Sequence, residues 1–372
     1  MSADVIVIGG GTVGSAIAYG LAQRGQRVTM LDGDDSDLRA ARANFGLVWV
    51  QGKGSHMPEY HLWSRLSSEG WGDFSSTLID VSGEDLHFEQ KGGLVFCLGE
   101  DAFEARRRSL QKLQNQLGNE GAEWEMVDRS GLETLVPGVT FGPDVSGASF
   151  GRRDGHVNPL RLLSALQTGI VRLGGTIVSA TTVRKIRPEH SGFVLETGSG
   201  IFAAPRIVIA AGLGSQALGE QVGLTVPLRP QRGQILVTER LEPFLPLPNS
   251  GLRQTREGTV MIGATQEDVG FDVSTTGAAA AKLSARALRI IPALANAKLV
   301  RQWAGLRVLT PDNCPVYAQS ESHPGAFVAL CHSGVTLAAV HADIVAQAVI
   351  DGTLPSSLEV FHMRRFDVPK VA

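Results

Sequence analysis

Arg307 poses the first chemical question in this sequence. It lies in QWAGLRVLTPDNCPV (302–316), where Trp303, Leu306, Val308 and Leu309 are neighbours built for burial. A guanidinium taken out of water is costly unless an anion or several acceptors meet it, and its planar fork matches a carboxylate with two parallel N–H bonds. Two readings follow. Either Arg307 pairs with a protein carboxylate at a domain seam, or a ligand brings the carboxylate. A second set of residues, Gly9, Gly11 and Gly14 in the spacing GxGxxG, together with Asp32, belongs to a different chemistry. Gly9 permits a tight turn, Gly11 lets the backbone approach a pyrophosphate, and Gly14 allows a helix to pack closely on a sheet. The helix amino terminus presents unpaired N–H groups and a positive dipole end to the phosphates, and Asp32 can accept from the hydroxyls of an adenosine ribose. His332, next to Cys331, and His56 and Gln51 are further polar candidates. For His332 a role at substrate and a ring satisfied by backbone are equally open.

These residues need particular elements to position them. Asp4–Ile8 is a short apolar run expected as a buried parallel strand, and Val13, Ile17, Ala18, Leu21 and Ala22 recur at helical spacing up to Gly25. Arg27–Leu31 reads as the next strand, ending at Asp32. Strand, glycine turn, helix, strand and acid thus follow within about 30 residues, the context that gives GxGxxG its meaning. It points to dinucleotide binding without separating NAD from FAD. Further on, ARANFGLVWVQGKG (41–54) is rich in small residues suited to close approach to a ligand. Residues 58–79 read as a helix with breaks, Glu89–Leu98 as a strand with a turn at Gly92–Gly93, and Phe103–Leu117 as an amphipathic helix. Val136–Val145 reads as loop. Asn158 before Pro159 caps a helix with a Leu160, Leu163, Leu166 stripe. Residues 174–215 hold three strand-like runs. VPLRPQRGQILVTER and LRQTREGTVMIGAT alternate like antiparallel strands, Ser274–Ile291 is a helix stopped by Pro292, Ala326–Leu330 a strand, and Thr336–Ile350 a helix ending near Gly352.

Composition sets the outer bounds. A chain of 372 residues, 43% hydrophobic and 19% charged, predicts two domains of a soluble globular protein. A formal net charge of −3 with no long basic block gives no nucleic-acid surface. The three cysteines, Cys97, Cys314 and Cys331, form no CxxC pair and no metal-ligand spacing with histidine, which fits a reducing compartment and predicts no metal site. No apolar run reaches the ~18–20 residues needed to span a bilayer. The expected location is cytoplasmic, with room for peripheral contact at the inner membrane.

The ordered set GGGTVGSAIAYGLAQRG, ARANFG, DGHVNP, IVIAAGLGS, PQRGQI, GTVMIGAT, WAGLRVLTPDNCPV and CHSGVTLA resembles the D-amino-acid oxidase superfamily of FAD enzymes over essentially the whole length. Within it the likeness is to glycine oxidase, hydrogen cyanide synthase, D-hydroxyproline dehydrogenase and the flavin subunits of opine oxidases. The resemblance implies an α/β fold: a discontinuous Rossmann-type FAD-binding domain (1–85, 150–220 and 300–372) and an interleaved, mostly antiparallel substrate domain (86–149 and 221–299). It implies that Gly9, Gly11, Gly14 and Asp32 hold the ADP half of FAD. Arg42, Ala43, Asn44 and Gly46 would line the pyrophosphate and flavin edge, Val183 would present its backbone to adenine, and Ala211 and Gly212 would approach from the last Rossmann strand. Gly334, Val335, Thr336 and Leu337 would meet the flavin pyrimidine. Arg307 falls where glycine-oxidase-like enzymes bind the substrate carboxylate, which would fix Cα over flavin N5.

Two departures qualify the likeness. The strand that often carries a carboxylate-holding tyrosine here reads LRQTREG, leaving either Arg253 or Gln254 for that task or a substrate of different polarity. No cysteine stands near Arg307, where sarcosine oxidases attach flavin, so FAD is expected to be noncovalent. The implied activity is oxidation of the C–N bond of a small amino acid or a secondary-amine amino acid, of opine or hydroxyproline type, by hydride transfer to flavin N5. The implied setting is a heteromeric dehydrogenase whose other subunits carry FAD, FMN or iron–sulfur centres. The alternatives are a glycine, sarcosine or D-amino-acid oxidase using oxygen, an NAD(P)-dependent dehydrogenase, and a flavin subunit with a relay role only.

Overall fold

The computed structural model describes residues 3–33, 40–118 and 123–367. Part of the loop expected after Asp32 lies outside them. Val5–Ile8, every residue of it buried, is central in a six-stranded sheet of order 316–319, 326–330, 206–209, 5–8, 28–31, 176–178. All neighbours in this sheet run parallel except the edge strand Val316–Gln319, which is antiparallel to Ala326–Leu330. Burial on both faces explains why these strands read as continuous apolar runs.

The first helix, Thr12–Gln23, is buried along most of its length and packs on this sheet. Gly14 makes that possible: a Cβ there would lie 2.0 Å from the Gly9 carbonyl oxygen. The same helix meets the carboxyl-terminal helical segment, Ala338–Asp351, backbone to backbone. A Cβ on Gly20 would stand 1.8 Å from the Ala342 carbonyl oxygen, and Arg24 donates to that carbonyl at 2.9 Å. A turn of wider, π-type winding at His341–Val345 interrupts the segment at this crossing, and Gly352, at φ 76°, ends it.

The second layer is antiparallel, in the order 252–254, 259–263, 229–240, 299–309. Leu299–Leu309 pairs with Arg229–Arg240 over nearly its whole length, with Gln231 opposite Arg307 and Gly233 opposite Gly305. The strand that carries Arg307 therefore belongs by its hydrogen bonds to this sheet, although its sequence adjoins the segment that closes the parallel one. A three-stranded sheet of order 93–98, 145–151, 124–128 and the helix Gly277–Ile290 share a second core with it, through Leu94, Phe141, Leu236, Val260, Leu283 and Ile290.

Several expected elements differ in detail. Pro58–Ser82 is one unbroken helix, its serines at 64, 67, 68, 75 and 82 buried toward the core. Residues 174–209 form five strands instead of three. Asn158 does cap the helix Pro159–Arg172, accepting from Leu160 and Arg161. Leu160, however, is 54% exposed. Steps of three residues drift around a helix, and the buried face is Leu162, Ala165, Leu166, Gly169 and Ile170, at the 3.6-residue period. Between 128 and 136 a short helix, Arg129–Leu135, with Asp128 as its cap, has no counterpart in the expected loop-and-strand pattern.

Candidate active site

A cavity of about 1060 Å³ runs between the carboxyl ends of the parallel strands and the antiparallel sheet. It exceeds an ordinary small-molecule cleft of roughly 300–1,000 Å³ and suits a dinucleotide together with a small substrate. One end is walled by Gly9–Val13, Asp32 and Gly33, and by Thr181–Arg184. Gly9 adopts φ 109°, and a Cβ on it would fall 2.4 Å from the Ala210 carbonyl. Gly10 donates its N–H to Asp32 Oδ1 at 2.9 Å, and a Cβ there would meet the Asp32 carboxyl at 2.5 Å. Gly11, by contrast, has only Ala41 near its missing side chain, at 3.9 Å, so the backbone is bare toward the cavity. Gly11 is also the amino-terminal cap of the first helix and provides no side-chain acceptor, leaving the first-turn N–H groups to a ligand. The Thr12 hydroxyl beside them is buried with no protein partner. Bare backbone, uncapped N–H groups and an orphaned hydroxyl form a cradle of the kind an anionic pyrophosphate satisfies.

The middle of the cavity is lined by Ala43, Asn44, Phe45, Leu47 and Trp49 on one side and Ala211 and Gly212 on the other. Gly334, Val335 and Thr336 close it from the carboxyl-terminal segment. That segment is tied down firmly. The Trp49 N–H donates to Thr336 Oγ1 at 3.1 Å, and Ser67 Oγ and Trp71 Nε1 donate to the Thr336 carbonyl at 2.7 and 3.0 Å. A Cβ on Gly334 would sit 3.1 Å from Val13 Cγ2, so glycine lets this loop lie against the glycine turn. Of the other residues implied for the cofactor, Val183 lines the cavity, while Gly14, Gly46 and Leu337 pack behind its wall and Arg42 is exposed beside it.

At the far end Arg307, His332, Ser333 and Lys53 face the same space. Arg307 forms no ion pair among the described residues. Its Nη1 makes two long contacts, to Gln231 Oε1 at 3.5 Å and the Arg232 carbonyl at 3.4 Å. The guanidinium lies flat over Gly233, where a Cβ would come within 2.8 Å of both terminal nitrogens. Burial pushes its pKa down, with no carboxylate to offset the effect. His332 exposes its ring to the cavity, and burial with Lys53 and Arg307 nearby pushes its pKa down to about 3, so the imidazole is neutral at pH 7.

The remaining polar candidates lie elsewhere. Gln51 touches the cavity, but its amide donates to Asp154 Oδ2 and the Gly93 carbonyl and accepts from Arg106 and Ser149. His56 is exposed, holds the Asp312 carbonyl at 2.8 Å and does not line the cavity. Gln254 is buried and accepts from the N–H groups of Phe244 and Leu245 while donating to three carbonyls. Arg253, 3% exposed, is enclosed by His156, the Val157 carbonyl and Met261 Sδ, under Gly46 and outside the lining. The sequence pattern could not separate these from Arg307, because the spacing of a polar residue does not say whether its side chain meets protein or cavity.

Lys53 is the residue that sequence reasoning passed over. Its signal was the flanking pair of glycines: Gly52 and Gly54 both adopt left-handed φ, 79° and 71°, and present Lys53 on a tight turn. The Lys53 ammonium donates to Ser333 Oγ and, at 3.2 Å, to Tyr60 OH. Burial pushes its pKa down to about 8. No group of three or more metal-ligating side chains occurs among the described residues, and no described helix is long and apolar enough to cross a membrane.

Comparison with known proteins bears on the same architecture. Residues 4–348 match the family described as FAD dependent oxidoreductase (DAO). An opine oxidase subunit from Agrobacterium tumefaciens (strain Ach5) is 45% identical over 98% of this chain and 97% of its own length. Glycine oxidase of Geobacillus kaustophilus is 28% identical over 97% of each. The crystal structure of glycine oxidase from that organism superposes with a TM-score of 0.87 at 26% identity, covering 98% of this chain and 99% of the other.

Proposed function

Because the chain belongs to the FAD dependent oxidoreductase (DAO) family, an FAD-binding family of amine and amino-acid oxidoreductases, we propose that it oxidises the C–N bond of a secondary-amine amino acid of opine type. FAD is the cofactor of this family, and NAD(P) no longer competes. Gly9, Gly11, the first-turn N–H groups, Thr12 and Asp32 hold its ADP half, and Ala43, Asn44, Gly334, Val335 and Thr336 its flavin half, without a covalent link. The chemistry supplied by FAD when bound is acceptance of two electrons, as hydride, from the substrate carbon.

The observation that carries the reading is Arg307: a positive fork inside the cavity with no ion-pair partner among the described residues. It binds the substrate carboxylate and fixes the amine-bearing carbon in one orientation. The pairing is strong because the site is partly dry. His332, neutral at pH 7, borders the substrate without adding charge. No protein base is assigned; the amine binds in its deprotonated form, and the imine product hydrolyses in water. The likeness to a protein whose name makes it one subunit of an opine oxidase supports action within a multi-subunit enzyme. In this proposal the chain is the flavin subunit of a heteromeric dehydrogenase in the cytosol, with partner subunits carrying FAD, FMN or iron–sulfur centres.

The test is anaerobic reduction of the bound flavin, followed by loss of its visible absorbance, against glycine, sarcosine, proline derivatives and opines. Bleaching by a secondary-amine amino acid supports the proposal. Bleaching by glycine alone, with fast reoxidation in air, favours a glycine-oxidase role. Failure of every carboxylate-bearing amine overturns it.

A further inference from the structure

Resting on that reading of the site, we infer that Lys53 is a second anion-binding residue of the same cavity, and that it selects amines carrying two carboxylates over amines carrying one. This end of the cavity holds two cations and, among the described residues, no anion paired with either. Arg307 leaves Nε and Nη2 without a partner. Lys53 uses two of its three donors, on Ser333 Oγ and Tyr60 OH, both neutral hydroxyls that also bond each other at 2.6 Å. The third donor has no acceptor among the described residues.

The groups around Lys53 do not neutralise it. Burial pushes the thiols of Cys331 and Cys314 up to about 12, so both are uncharged at pH 7. The Asp154 carboxylate accepts from the Val50 and Gln51 N–H groups and the Gln51 amide, and it forms no ion pair with Lys53. Lys53 therefore keeps its charge in a partly dry place without a counterion; the two hydroxyls and the Tyr60 ring, 5.2 Å from Nζ, offset part of the cost, and an anionic ligand would offset the rest. His332 is near both cations: its Nε2 is 3.3 Å from Ser333 Oγ, the hydroxyl that Lys53 holds, and burial followed by the charges of Lys53 and Arg307 pushes its pKa down. One carboxylate on Arg307 leaves the cavity a net positive charge. A substrate with a second carboxylate beyond the amine removes it. The hydroxyl pair of Ser333 and Tyr60 holds the ammonium in place before the ligand arrives, so little side-chain entropy is lost on binding.

The experiment uses the FAD-loaded protein and two matched ligand pairs. Oxydiacetate and methoxyacetate differ by one carboxylate and cannot be oxidised at nitrogen; their Kd values come from calorimetry. Iminodiacetate and sarcosine are the corresponding amines, followed by anaerobic flavin bleaching. Wild type is expected to prefer each diacid by about tenfold to a hundredfold, the size of one charge-assisted hydrogen bond. Lys53→Met is expected to bring that ratio to near one while methoxyacetate binding changes by less than about threefold, and Lys53→Arg to restore most of the preference. A wild-type ratio near one overturns the inference. So does a Lys53→Met variant that keeps the ratio, or that slows both amines equally with a shifted pH profile, which would make Lys53 a proton acceptor. Failure of all amines to bleach the flavin while oxydiacetate still outbinds methoxyacetate would refute the oxidation reading and leave the anion site standing.

Discussion

Replacing Arg307 with methionine separates the two roles a half-buried guanidinium can have. If a ligand carboxylate is its partner, two charge-assisted hydrogen bonds disappear, each worth about 1.5–3 kcal/mol, and substrate affinity falls by about a hundredfold to about twenty-thousandfold. The free protein should move the other way. Its only partners for this group among the described residues are contacts of 3.5 and 3.4 Å, too long to offset the loss of water around the charge. Methionine keeps the apolar stem over Gly233, so removing the unpaired charge should stabilise by about 1 kcal/mol. With an unfolding entropy of about 2.1 cal/mol/K per residue over 372 residues, that is a rise in Tm of about 1 °C. The assay is differential scanning calorimetry of the FAD-loaded protein without substrate, paired with anaerobic bleaching titrated against the best substrate. A variant that loses several degrees and binds substrate as well as wild type would show Arg307 to be a structural strut, and the reasoning would fail.

Two further outcomes follow from the same structure. A methyl group at Gly14 would fall on the Gly9 carbonyl, so Gly14→Ala should push the first helix off the sheet and purify with substoichiometric FAD, measured as the 450/280 nm absorbance ratio; full FAD occupancy would contradict the close packing. Stability should decline as pH falls below 6.5. His61, His156 and His341 are held neutral by burial, with pKa values pushed down to about 4, 4 and 3, so unfolding takes up three protons between their ordinary value and about 4. Asp154, pushed up to about 7 by burial, releases one on unfolding over the same range and offsets a third of this. His332, also pushed down but open to the cavity, can only steepen this, so the net slope is at least about two protons, or roughly 2.7 kcal/mol per pH unit, read from urea midpoints between pH 6.5 and 4.5. A flat profile there would rule out the neutral histidines.

Much of the frame was legible because its causes are local. A strand buried on both faces, a turn that admits only glycine and a helix of 3.6-residue period each write their own pattern, and Val5 to Asp32 shows all three. The pattern fails where tertiary packing decides. Leu160 is apolar yet exposed because the helix face turns away from it. Arg307 sits in an apolar strand and Arg253 in the polar run LRQTREG, and only the register of one strand against its neighbour puts Arg307 over Gly233 and into the cavity. Lys53 was hidden for the opposite reason. Its surroundings, a glycine on each side, look like loop, and its partners Tyr60 and Ser333 are close and far in sequence respectively.

The crossing of the first helix with the carboxyl-terminal one has a consequence in time. Residues 9–13 are made more than 300 residues before residues 331–336, which close the same cavity. Because Gly20 and Ala342 meet through bare backbone, the face of the first helix that this crossing covers stays open until the later segment arrives. A nascent chain halted before residue 331 would lack Gly334, Val335 and Thr336 from the cavity wall. The proposed flavin half of the site is thus completed only after that later segment has been made.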